Sequence, residues 1–144
     1  MSNVLRKMFE TVPSLETKGV VLEYAEGVDM TIARAGGANK KFAKVLARLS
    51  KPYRRAIQTE TIDEKVGNRL MMEAYAEAVV LGWNGFTKDI ITKKEEDAGT
   101  LLEFTKENVI AVFEALPELF TDVAKMSNNI TLYRAETLEG DSGN

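Results

Sequence analysis

With no histidine and no cysteine in the chain, any reactive chemistry must come from carboxylates, amines and hydroxyls. Glu95, Glu96 and Asp97 stand in a row, a density of acids that could hold a hard cation or move a proton. They fall in a polar, aperiodic stretch, 87–100 (TKDIITKKEEDAGT), which reads as a surface loop with its charges in water. Glu73 and Glu77 share one helix face, but Arg69 precedes Glu73 by four residues, an arrangement that favours a surface ion pair over a catalytic pair. GGANKK at 36–41 lacks the strand-to-helix spacing and the Ser or Thr of a phosphate loop, and neither a dinucleotide fingerprint nor a nucleophile elbow is present. The missing residue types also remove disulfides, Cys/His zinc sites, thiol nucleophiles and Ser-His-Asp triads. The expectation is a non-enzyme with no catalytic residue, no metal and no cofactor.

Charge is the stronger signal. The net charge of -3 hides an acid-free stretch, 30–59, that holds Arg34, Lys40, Lys41, Lys44, Arg48, Lys51, Arg54 and Arg55. All 22 acids lie outside it with the other 11 bases, so the chain is a dipole in sequence. Lys40, Lys44, Arg48, Lys51 and Arg55 recur at helical spacing and form one face. Three like-charge pairs four residues apart cost roughly 1 kcal/mol together, which an acidic counter-surface would offset. Three uses stay open: a solvated face, a site for an acidic protein surface in this or another copy or a partner, and nucleic acid with Tyr53 stacking beside Arg54. The net acidity and the core spacing of most aromatics weigh against nucleic acid. Arg34, Lys40, Lys44, Arg48, Lys51 and Arg55 are therefore candidates for oligomerisation or acidic-surface binding.

LGWNGF at 81–86 holds the single tryptophan, Trp83, between two glycines. Trp is a frequent anchor at protein contacts, yet it could equally close the core where two helices meet. The expectation is that Trp83 locks that joint and that Phe86 faces outward. Trp83, Phe86, Tyr53 and Met71 are the candidate partner-binding residues.

The elements that must position these residues follow from periodicity. A chain of 144 residues with 44% apolar content fits one domain, and it has no apolar run near the roughly 18 residues of a membrane span. The N-terminus lacks the apolar length and cleavage pattern of a secretory signal, so cytoplasm is the expected location. Residues 19–34 alternate apolar and polar, predicting a hairpin. A three-residue loop, 25–27, pairs Tyr24 with Val28 and Leu22 with Met30, keeps one clean apolar face and places Gly27 where a left-handed residue is needed. Helices are predicted over about 39–58, 61–81, 105–127 and 129–138. Asn39 and Thr105 serve as N-caps, Pro52 and Pro117 as kinks or restarts, and Gly82 as a stop. Residues 1–18 form a partly ordered segment, 19–138 a single domain, and 139–144 a frayed tail. The predicted class is α+β, mostly α-helical, with an N-terminal β-hairpin packed on a helical bundle.

In order, GVDMTIARAGGANKKFAKVL, AEAVVLGWNGF, LEFTKENVIAVFEALPELF and NNITLYRAETLE resemble the tail assembly chaperones of long-tailed, non-contractile bacteriophages over about 19–139. The resemblance rests on Ile32, Ala33 and Arg34 ending the hairpin, Asn39, Lys40 and Lys41 starting a helix, and Trp83. It rests also on the cap Phe104, Thr105, Glu107 and Asn108, and on Leu116 to Phe120; the long Lys/Glu loop at 87–100 departs from it. The resemblance implies a non-enzymatic oligomer, in the host cytoplasm and absent from the mature virion. Such a protein coats the tape measure protein, helps the tail tube protein polymerise around it and associates with itself. The alternatives are a small nucleic-acid-binding regulator using 40–55 and a head-tail connector subunit.

Overall fold

The alternation in 20–32 becomes an antiparallel pair, β1 (Val20–Ala25) and β2 (Val28–Ile32), in the computed structural model, which describes residues 3–135 and Thr137. Leu22 faces Met30 and Val20 faces Ile32. These four side chains are buried while Val21 and Glu23 face water, as a period of two requires. Gly27 takes the left-handed conformation, with φ +76°. The turn corrects the expected three-residue loop: Ala25, not Tyr24, lies opposite Val28, so the loop is Glu26 and Gly27 alone, with the register irregularity between Glu23 and Ala25. A bulge of this kind adds a residue to one strand and bends it. Tyr24 uses that bend to donate a hydrogen bond to Asp122 Oδ2, 2.8 Å away in α8 (Pro117–Ser127). Burial first, then the Asp122 carboxylate, pushes its phenol well above the ordinary tyrosine range.

The long central helix, α5 (Glu64–Ala78), ends three residues before the predicted Leu81. The chain then enters a third strand, β3 (Val80–Asn84), paired antiparallel to β2 with Trp83 opposite Met30. The sheet order is β1-β2-β3, so the predicted hairpin is the larger part of a three-stranded sheet. The reason is tertiary. The outer edge of β2 carries N–H and C=O groups that need partners, and β-branched Val79 and Val80 suit a strand better than a helix end.

The remaining helices pack on this sheet and on α5, giving an α+β fold that is mostly helical. Pro52 breaks the basic helix into α3 (Lys40–Ser50), a 3-10 turn (Lys51–Tyr53) and α4 (Arg54–Gln58). Val45 of α3 packs on Ala74 and Ala78 of α5, small residues that let the two helices approach closely. Pro117 likewise restarts the C-terminal stripe, dividing α7 (Lys106–Ala115) from α8. Thr105 caps α7, its hydroxyl accepting from the Asn108 amide at 3.1 Å. Val109, Val112, Phe113, Val123 and Tyr133 fill the interior. Tyr133 belongs to a 3-10 turn (Ile130–Tyr133), where the sequence predicts a longer helix. The predicted tail, 139–144, lies outside the described residues.

Two segments are more structured than their composition predicts. In the first 18 residues, α1 (Val4–Phe9) buries nothing, but α2 (Pro13–Lys18) places Leu15 and Glu16 in the interior. It is tied down by Val12 N–H donating to Tyr133 O at 2.7 Å. The Lys/Glu stretch contains α6 (Asp89–Thr92) and a 3-10 turn (Glu95–Asp97), closed by a Thr87–Leu101 bridge. Ile90 and Ile91 pin it to the core. Its acids form no metal-holding group among the described residues. No helix of the described residues is long and apolar enough to cross a membrane.

Candidate functional site

The predicted anchor Trp83 lies not at a helix joint but on β3, beside the returning segment 101–104. Leu102 N–H donates to Phe86 O at 2.8 Å, and the Trp83 indole N–H donates to Leu102 O at 3.0 Å, so the ring is fixed at its polar end. Phe86 stacks on Trp83 with centroids 4.6 Å apart, and Phe104 meets it edge-on at 5.2 Å. Phe86 is the inner member of this stack, 4% exposed, which corrects the expectation that it faces outward. Its burial follows from β3, because the strand puts Trp83 on the same face as its cross-strand partner, buried Met30, and the tight turn at Gly85 folds the next aromatic against it. Gly85 has φ +77°, and any Cβ there would collide with Gly27 O.

The outer side of the stack is an open cleft of about 310 Å³, with Trp83, Phe104 and Leu101 as its apolar surface. Leu101 is 68% exposed. Glu103 is the charged residue that lines it, and Asn84, also in the lining, donates to Asp29 at 3.0 Å. Of the other predicted partner-binding residues, Tyr53 is exposed beside Pro52, while Met71 is half-buried and packed against the core.

The basic candidates divide in two. Arg34 pairs with Glu16, which is 3% exposed, and so leaves the surface set. The Gly36–Gly37 loop wraps this internal carboxylate: the Ala38 amide donates to it at 3.4 Å, and a Cβ on Gly37 would collide with it. Asn39 starts α3 without a side-chain cap and instead donates to Arg34 O and Ala78 O, both at 2.8 Å. Arg48 is also taken, bonded to Glu77, which accepts Lys106 as well at 3.2 Å. Lys40, Lys44, Lys51 and Arg55 remain exposed, with no ion pair among the described residues, beside exposed Tyr53 and Ile57. The predicted Arg69–Glu73 pair forms at 3.2 Å, and Arg69 also reaches Glu114.

Sequence reasoning missed Glu16, Leu101 and the site role of Phe104. Glu16 lies between Leu15 and Thr17 in a short polar helix, which gives no sign of its burial or of its partner. Leu101 carried no local signal.

The Arg48 hydrogen bond, and secondarily Lys106, hold the Glu77 carboxyl below its usual range against an opposing effect of burial. A depressed carboxylate stabilises the fold above its unfolded pKa, and that contribution disappears as pH falls through the folded value. Glu77→Gln should therefore lower the melting temperature at neutral pH, with the difference from wild type closing below about pH 4. Melts recorded by circular dichroism across pH would measure it.

Comparison with known proteins gives one finding: residues 37–144 match the model of the protein family described as YdaY prophage protein. No curated protein matches the chain, and no solved structure matches it.

Proposed function

Because the chain belongs to the YdaY prophage protein family and is therefore phage-derived, we propose that it acts as a tail assembly chaperone, gripping other polypeptides without chemistry. Its clients on this reading are the tape measure protein, which it keeps covered until the tube forms, and the tail tube protein. It works in the host cytoplasm and is absent from the finished particle. The observation that carries the reading is the cleft of Trp83, Leu101 and Phe104, a rigid aromatic floor with exposed apolar groups beside it. Fixed rings lose little conformational freedom on binding, which suits repeated capture and release of apolar helical segments. The motifs behind the chaperone resemblance fit together around it: Trp83 pairs with Met30 of the hairpin, Phe104 packs on Trp83, and Thr105 caps the following helix.

The test is co-expression with the tape measure and tube proteins of the same phage. The tape measure chain should co-purify with the wild type and be lost with Leu101→Asp, a change at an exposed position. Presence of the protein in finished particles, or equal capture by the variant, would refute the proposal. A second reading has its own observation, the exposed Lys40, Lys44, Lys51 and Arg55, with no ion pair among the described residues and with Tyr53 among them. Retention on DNA at moderate salt, removed by reversing Lys44 and Lys51, would favour a nucleic-acid-binding regulator.

A further inference from the structure

α1 has the opposite problem to the cleft. Val4, Leu5, Met8 and Phe9 gather on one side of it, yet they are 46 to 70% exposed and α1 buries no residue. A helix this short does not hold by propensity alone. It is formed by its ends, with Asn3 accepting from the Leu5 amide at 2.8 Å and Arg134 donating to Met8 O at 2.9 Å. That anchor also keeps all four apolar side chains facing water within the chain.

We propose that the α1 arm of one copy docks into the Trp83–Leu101–Phe104 cleft of a second copy. The two surfaces complement each other in charge as well as apolarity. Residues 1–10 carry Arg6, Lys7 and Glu10; Arg6 pairs with Glu10 at 2.8 Å, so Lys7, exposed and with no ion pair among the described residues, is the positive charge the arm presents. The cleft is lined by one acid, Glu103, and no base, and a second acid, Asp29, accepts from its lining residue Asn84. Its 310 Å³ holds on the order of ten waters, which apolar side chains of the arm would displace. The inference rests on the reading of the cleft as an adhesion surface and adds a consequence: self-assembly and client capture compete for it, so an assembled store of the protein keeps its own grip covered.

The full-length chain can be tested by sedimentation velocity and by emission of Trp83, the single tryptophan. The wild type should associate as concentration rises, with Trp83 emission moving to the blue as water leaves the cleft. Phe9→Asp and Leu101→Asp change exposed residues, and each alone should weaken association by about tenfold or more. Mixing the two variants should restore a heteromeric complex, because one brings an intact cleft and the other an intact arm. A wild type that stays monomeric, variants that associate like wild type, or a mixture no better than its components would overturn the inference. If the monomeric wild type still captures the tape measure chain through Leu101, only this inference fails; if association stands and no client is captured, only the chaperone reading fails.

Discussion

Arg34→Ala should lower the unfolding free energy by about 3 kcal/mol, because it leaves a carboxylate inside the protein without its counter-charge. Glu16 is 3% exposed and Arg34 24%, so the surviving charge is the deeper one, while the wetter guanidinium holds the expected cost near the lower end of what a broken buried pair shows. Replacing both members, with Glu16→Leu and Arg34→Met, should recover most of the loss, since no charge then remains to be buried. Urea titrations of the three proteins would measure this. An unchanged midpoint for Arg34→Ala would mean that the pair does not clamp α2 to the start of α3. The pair also accounts for the form of the Gly-rich loop, which is closed around an internal acid.

Phe86→Ala should cost about 3 to 4 kcal/mol, whereas Leu101→Ala, two steps away in the same cleft, should cost less than about 0.5 kcal/mol. Phe86 lies under Trp83 and inside the main core, so its removal leaves a void and strips the indole of its stacking partner. Leu101 has most of its surface in water already. The functional effects should run the other way: Leu101→Ala keeps the fold and weakens association, while Phe86→Ala acts through loss of structure. Thermal melts give the stabilities. Trp83 emission supplies a second check, since the indole should report a wetter surrounding in Phe86→Ala and an unchanged one in monomeric Leu101→Ala. Equal stability losses for the two would contradict the placement of Phe86 beneath the tryptophan.

The candidate site was legible only in part. Trp83 stood out because it is a single tryptophan between glycines, whereas Phe104 was visible only as the residue before a recognisable cap. That these residues meet depends on the return of 101–104 alongside 84–87, which the Thr87–Leu101 bridge and the Leu102–Phe86 hydrogen bond hold in place. The intervening polar stretch offers no periodicity from which to infer that return. The basic face was legible as a pattern, but which bases remain free was not. Arg34 and Arg48 look equivalent to Lys44 in sequence, and only the positions of Glu16 and Glu77 remove them from the surface.

By itself the sequence determined what depends on near neighbours. Alternation set the pairing of Leu22 with Met30, Gly27 supplied the left-handed turn position, Pro52 and Pro117 interrupted helices for want of an N–H, and Thr105 capped α7. The lack of histidine and cysteine removed whole classes of chemistry before any folding was considered. Tertiary structure decided what depends on groups far apart in the chain: that Val80–Asn84 is a strand, that Phe86 lies inside, and that Glu16 neutralises Arg34. A strand edge, a buried ring and a buried charge are each stable only once their partners arrive, and those partners come from segments that no local pattern ties together.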